Sequence, residues 1–192
     1  MKNIAVFASG KGTNADKICN YFSNSTKISV CLCVSNNQKS NLENIAKSYK
    51  RDYLMLDNNN NNNYNKEFLL NFLKKSKIDF IVLAGYLKKI PTNIVSEFKN
   101  RIINIHPSLL PKHGGKGMYG LNVHSAVINS TDKTSGITIH FANNDYDKGA
   151  ILFQASLDLK PNETAISLSH RTQELEHLHY AKIIEKTIIK SL

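Results

Sequence analysis

Short apolar runs alternate with amphipathic stretches in a regular beat along this chain. Residues 3–9 (NIAVFAS) and 27–35 (KISVCLCVS) have strand length. Between them, residues 14–22 (NADKICNYF) repeat their apolar positions at helical spacing. The alternation continues with a helix over 41–51, a short strand over 52–57 and a helix over 65–77, whose Phe68, Leu69, Phe72 and Leu73 form one stripe. Residues 78–85 (IDFIVLAG) are the most continuous apolar run, which predicts the central strand. A short helix over 92–98 leads to a strand over 101–106 (RIINIH), a glycine-rich loop and a helix over 122–129. Residues 136–142 and 150–159 alternate apolar and polar side chains, as half-exposed strands near one edge do. A last helix runs from about Ala165 to Ile189. This rhythm predicts a single α/β domain. Its sheet is mostly parallel and twisted, Rossmann-like in the N-terminal half, with helices on both faces and antiparallel edge strands.

Composition trims the possible functions. The 192 residues suffice for one such domain and are few for two. No apolar run approaches the roughly 18 residues of a membrane-spanning helix, and MKNIAVFASG lacks the cleavage pattern of a signal peptide. The expectation is a soluble, cytoplasmic protein with no membrane partner. Cys19, Cys31 and Cys33 have neither zinc nor redox-pair spacing and read as buried reduced thiols. A formal charge of +10 favours anionic ligands. The lysines are scattered and no nucleic-acid module is visible, so no nucleic-acid partner is expected. The run Asn58 to Asn63 reads as a solvated loop.

The segment ASGKGTNADKI joins the first strand to the first helix, where a glycine-rich turn and a helix N-terminus suit a phosphate. Gly10, Gly12 and Ala15 also fit a dinucleotide fingerprint, but the second strand ends VSNNQ without the carboxylate that binding ribose hydroxyls would need. Thr13 and Asn14 are better suited to capping the helix and gripping a terminal phosphomonoester. A second G-x-G-x-x-G, at Gly115, Gly117 and Gly120, follows a proline-rich loop and not a strand, so it reads as a mobile lid or substrate loop.

In RIINIH, Asn104 and His106 share one face of a strand while Ile103 and Ile105 face the other way. Pro107 ends the strand, putting the polar pair at the carboxyl edge where open α/β sheets bind ligands. Asp145 and Asp147 lie between the last two strands and supply a carboxylate able to orient an imidazole and raise its pKa. An Asn to hold an oxyanion, a His to donate a proton and an Asp to tune it suit acyl transfer without a covalent intermediate. His177 and His179, two apart on a helix, cannot share a metal face.

The motifs SGKGTN, VLAGYLKKI, NIHPSLLP, GITIHF, DYDKGAIL and QELEHLHYA, in this order, resemble the phosphoribosylglycinamide formyltransferases, the folate-dependent glycinamide ribonucleotide transformylases within the formyltransferase superfamily. The likeness covers essentially the whole chain. It implies the formyltransferase fold over residues 1–192, with 1–100 as the nucleotide-phosphate half and 101–192 as the catalytic and folate half. It also implies formyl transfer from 10-formyltetrahydrofolate to glycinamide ribonucleotide in de novo purine biosynthesis, with no metal. Asn104, His106 and Asp147 would be catalytic, with Asp147 keeping His106 protonated. Gly12, Thr13, Asn14 and Glu176 would hold the ribonucleotide, with Glu176 on the ribose hydroxyls. Leu87, Lys88, Lys89, Ile90 and Asn104 would meet the folate. The expected partners are these two small molecules, and the expected state is a monomer or weak homodimer.

Some departures from the family pattern stand out. The asparagine run replaces a region that offers an Arg to folate, GGKGMYGL is a variant loop expected to affect only the rim, and Ala181 stands where a Pro is common. The alternative reading is a formyltetrahydrofolate deformylase-like hydrolase, which would use water as acceptor and have no reason for a phosphate loop. A tRNA formyltransferase would need a further RNA-binding domain.

Overall fold

β1 (Lys2–Phe7), β2 (Ile28–Ser35), β3 (Asp52–Met55), β4 (Phe80–Leu83) and β5 (Ile102–His106) pair in parallel, while β6 (Thr134–Phe141) and β7 (Ile151–Asp158) continue the sheet antiparallel. This computed structural model describes residues 1–56 and 66–191; among them the sheet has seven strands in the order β3-β2-β1-β4-β5-β6-β7. The strand expected at the centre, β4, is the middle one, and all four of its residues are buried. The expected loop at Asn58 to Asn63 lies outside the described residues.

Alternation along each strand divides the core in two. Ile4, Val6, Val82 and Ile103 face α1 (Thr13–Tyr21), α2 (Leu42–Ser48) and α6 (Ala165–Ile189), whereas Phe7, Val34, Ile81 and Ile102 face α3 (Lys66–Lys75) and α4 (Thr92–Glu97). Fully burying a side chain such as Phe7 or Leu73 stabilises the fold by roughly 1.5–3 kcal/mol. α5 (Leu121–Ile128) packs against α6. With Ala181 where a proline would break it, α6 runs unbroken for 25 residues. Its Tyr180 is 1% exposed, and the hydroxyl shares its proton between the carbonyls of Leu83 (2.9 Å) and Ile103 (3.0 Å), clamping the helix to β4 and β5.

One expectation is corrected. β6 is not half-exposed: residues 135–140 are all buried, and only β7, at the edge, alternates with solvent. Thr138 of β6 faces a packed loop. Thr138 Oγ1 donates to the Ser108 carbonyl (2.6 Å) and accepts from Leu110 N–H (2.9 Å), and the Gln154 amide donates to both Thr138 Oγ1 and the Leu110 carbonyl. The segment after β5 is thereby pinned to β6 and β7. Gly136 permits close packing here, since a Cβ there would lie 2.0 Å from the Ala155 carbonyl oxygen of β7 and 2.9 Å from Leu109 Cδ2 of that segment.

Candidate active site

β1 has β2 on one side and β4 on the other, so the loop after it lies at the point where strand order reverses, which is where open α/β sheets bind ligands. The carboxyl ends of β1, β4 and β5 open onto a cleft of about 1160 Å³ lined by parts of segments 10–14, 83–90, 104–107, 115–121 and 142–147 and by α6.

At one end of the cleft the chain leaves β1 and turns at Gly12, whose φ of 75° favours glycine and where a Cβ would meet Ile45 Cδ1 at 2.7 Å. The turn is braced from β2, with Asn37 donating to the Ser9 carbonyl (2.8 Å) and Ser9 Oγ donating to Asn36 Oδ1. These are the asparagines that stand where a dinucleotide fold would need a carboxylate. The first-turn N–H groups of α1 are therefore presented to the cleft at the positive end of the helix dipole. Thr13 and Asn14 do not cap the helix with their side chains, contrary to expectation. They reach instead to α6, where Gln173 donates to Thr13 Oγ1 (3.1 Å) and Asn14 Nδ2 donates to Glu176 Oε2 (2.7 Å). Asn14 Oδ1 is buried without a hydrogen-bond partner among the described residues, and burial pushes the Glu176 carboxyl up to about 7 against the Asn14 bond, which lowers it. The Asn14 oxygen is thus left with unmet accepting capacity beside the helix N-terminus.

At the centre, Ile103 and Ile105 enter the core on the α6 side and Asn104 and His106 point the other way, as the spacing predicted. His106 is 4% exposed. Its Nδ1 lies 3.6 Å from Asp147 Oδ2, and its Nε2–H donates to the His113 carbonyl at 2.8 Å. Asp147 has a left-handed backbone, φ 57°, an uncommon conformation for a residue other than glycine; Asp and Asn adopt it more readily than most, and such backbones cluster at functional sites. Its Oδ2 accepts from Gly115 N–H at 2.9 Å. Burial acts to raise the Asp147 pKa, but the charge of His106 and the Gly115 N–H are among the groups that oppose it, and it is held low. For His106 burial dominates and lowers the pKa, although Asp147 and the His113 carbonyl oppose it. The expectation that Asp147 keeps His106 protonated is thus not met in this arrangement, because desolvation of the imidazolium outweighs one carboxylate beyond hydrogen-bonding distance.

Two features were not legible in the sequence. His140, inside GITIHF, is 1% exposed; its Nδ1 donates to the Phe141 carbonyl (2.9 Å), leaving Nε2 to accept from Asn104 Nδ2 at 3.0 Å. Only the pairing of β5 with β6, which sets Asn104 opposite His140, reveals that contact. The second is the loop GGKGMYG, which is not confined to the rim, since Gly115 bonds the central carboxylate directly. Of the residues after β4, Leu87 is 51% exposed at the cleft and Ile90 is buried in the core. Lys88 and Lys89 also line the cleft, with the Lys89 ammonium 5.8 Å from the centre of the Tyr146 ring. Asp145, the other candidate carboxylate, is exposed at the cleft.

The cleft of this α/β fold thus holds a buried polar cluster beside a helix N-terminus, and comparison with known proteins shows the family to which the fold belongs. The formyl transferase family profile matches residues 2–184, and the chain belongs to this family. It is 40% identical over 95% of its length to the chloroplastic phosphoribosylglycinamide formyltransferase of Arabidopsis thaliana, and spans 64% of that relative's length. It is 33% identical to the phosphoribosylglycinamide formyltransferase of Haemophilus influenzae, covering 96% of this chain and 86% of the relative. Among solved structures, the phosphoribosylglycinamide formyltransferase of Bacillus halodurans superposes with a TM-score of 0.87 at 30% identity, over 100% of this chain and 97% of that one.

Proposed function

We propose that this protein transfers the formyl group of 10-formyltetrahydrofolate to the amino group of glycinamide ribonucleotide, giving formylglycinamide ribonucleotide and tetrahydrofolate for purine synthesis. The observation that carries this reading is a single cleft joining a helix N-terminus fit for a phosphate to the Asn104, His106 and Asp147 cluster. A deformylase-like hydrolase, with water as acceptor, would leave the first of these without a use. The ribonucleotide phosphate lies on the N–H groups of Gly12, Thr13 and Asn14, with the ribose hydroxyls on Glu176. The folate lies along Leu87 to Ile90, where an exposed Leu87 and the Tyr146 ring offer apolar surface to a flat heterocycle and Lys88 and Lys89 face its carboxylates. Residues 1–100 thus supply the phosphate cradle and 101–192 the catalytic groups, joined through the Asn14–Glu176 bond. The three free cysteines support a reducing, cytoplasmic setting, and we retain a monomer or weak homodimer as the working state.

In this reaction the amine adds to the formyl carbon, and the Asn104 amide donates to the oxygen on which charge develops. The bond from that carbon to folate N10 then breaks as the one to the amine is kept. The proton lost by the amine reaches N10 through the His106 and Asp147 pair, so atoms and charge balance without a covalent enzyme intermediate. The test is to follow deformylation of 10-formyltetrahydrofolate with and without glycinamide ribonucleotide. Turnover should require the ribonucleotide, and the dephosphorylated riboside should raise the Michaelis constant at least about tenfold, because the cradle acts on the phosphate. Equal efficiency with both acceptors, or turnover with water alone, would remove this reading.

Glu176 adds a pH dependence. An ionised carboxylate accepts stronger hydrogen bonds from ribose hydroxyls than a protonated one, and this group ionises at about 7 in the free protein. Ribonucleotide binding should therefore tighten as pH rises from 6 to 8, by up to about tenfold. Calorimetric titration of Glu176→Gln should show weaker binding and a flattened slope over the same range. An identical slope in that variant would assign the dependence to the phosphate alone.

A further inference from the structure

The two backbone groups that hold the catalytic pair belong to one short stretch. The His113 carbonyl accepts from His106 Nε2–H, and two residues on Gly115 N–H donates to Asp147 Oδ2. Gly114 between them passes so close that a Cβ would lie 2.5 Å from Leu110 Cδ2 and 3.2 Å from Asp147 Cβ. His113 itself has a left-handed backbone, φ 53°. Its side chain is tied down, with Nε2 2.8 Å from Asp132 Oδ2 in the turn before β6, while Lys112 bonds the other carboxylate oxygen. Ser108 Oγ, fully buried, donates to the Lys112 carbonyl at 2.8 Å.

We infer that His113 and Asp132 are positioning residues for the proposed formyl transfer: by anchoring the His113 carbonyl they keep the His106 proton on Nε2 and make Nδ1, facing Asp147, the nitrogen that gains and loses a proton. This rests on the proposed function for its role in turnover, but the tautomer itself does not. A carbonyl can only accept, so the ring nitrogen bonded to it must carry hydrogen, and the second nitrogen is left to titrate. The groups facing the imidazole are the Asp147 carboxylate from the β6–β7 loop, His140 from β6, His113 from its own loop and His124 from α5. Loss of the carbonyl removes an acceptor that favours the imidazolium, so the His106 pKa should fall, and a ring released from it can place its proton on Nδ1 toward Asp147.

The test uses protein labelled with 15N-histidine, with the His106→Gln spectrum identifying the His106 signals, alongside pH profiles of turnover. Wild type should show neutral His106 with Nε2 protonated and Nδ1 titrating. Asp132→Ala, and His113→Gly, which accepts the left-handed backbone, should give mixed tautomers. In both, turnover should fall about tenfold and the apparent pKa of His106 by about half a unit or more, with Michaelis constants within about threefold. Asp132→Asn keeps an acceptor for His113 Nε2–H and should restore wild-type behaviour, whereas a purely electrostatic role for Asp132 would not be rescued. Lys112→Ala should leave the tautomer unchanged. A neutral His106 protonated on Nδ1 in wild type, or an unaltered tautomer and pH profile in both Asp132→Ala and His113→Gly, would overturn the inference. If the tautomer behaves as described but no ribonucleotide is formylated, the proposed function fails and this assignment stands.

Discussion

Asp147→Asn is expected to lower turnover at least about a hundredfold while the dissociation constant for glycinamide ribonucleotide stays within about threefold. Asn tolerates the left-handed backbone that Asp147 adopts, and its carbonyl oxygen can still accept from Gly115 N–H, so the loop keeps its shape. What disappears is the charge 3.6 Å from His106 Nδ1. Burial already holds the His106 pKa below its ordinary value, and Asp147 is the first group to oppose it. Without that carboxylate the pKa falls further, so fewer molecules carry the imidazolium at neutral pH and the alkaline limb of the rate profile moves to lower pH. Ribonucleotide binding depends mainly on the distant phosphate cradle and should not follow. The Asp147→Asn, His106→Ala double variant should be far from additive, since the two groups act as a unit. Retention of more than half the wild-type turnover in folded Asp147→Asn would disprove the pairing and turn attention to Asp145, which is exposed at the same cleft.

The elements of this fold were legible because each carries its own period. Ile4 and Val6 against Ala5 and Phe7 alternate to opposite faces of β1, and Ala15, Ile18, Cys19 and Phe22 repeat at helical spacing, so burial follows from pattern alone. β6 marks where that logic stops. Thr138 and His140 read as solvent-facing because they are polar, yet they are 0% and 1% exposed, since the loop after β5 supplies hydrogen-bond partners to Thr138 while His140 bonds Asn104 on β5 and the Phe141 carbonyl. Periodicity separates apolar from polar faces but cannot tell water from a polar loop. In the centre, Asn104, His106 and Asp147 were legible as side-chain chemistry. Their supports were not, because Gly115 and His113 act through backbone N–H and C=O groups that every non-proline residue has.

His140 gives Asn104 the largest expected effect of any single neutral side chain here. The Asn104 amide nitrogen carries two hydrogens. One donates to His140 Nε2, which is free to accept because the Nδ1 proton is committed to the Phe141 carbonyl. The amide is therefore held in one orientation before substrate arrives, and in the proposed reaction its second N–H would meet the formyl oxygen. A donor preorganised in this way costs no rearrangement as charge develops, and losing one typically reduces turnover about 10² to 10³-fold. Asn104→Ala should show that loss, with the Michaelis constants for both substrates within about threefold, because the interaction strengthens only in the transition state. Asn104→Asp separates hydrogen-bond donation from size: the ionised carboxylate fills the same space, donates nothing and repels the oxyanion, so it should be at least as impaired as Asn104→Ala. His140→Ala should weaken turnover less than either and add little to Asn104→Ala, since it acts by orienting that amide. Steady-state rates of the three single variants and the Asn104→Ala, His140→Ala pair decide the matter. Asn104→Asp retaining more than about a tenth of wild-type turnover would show that this side chain does not stabilise the oxyanion.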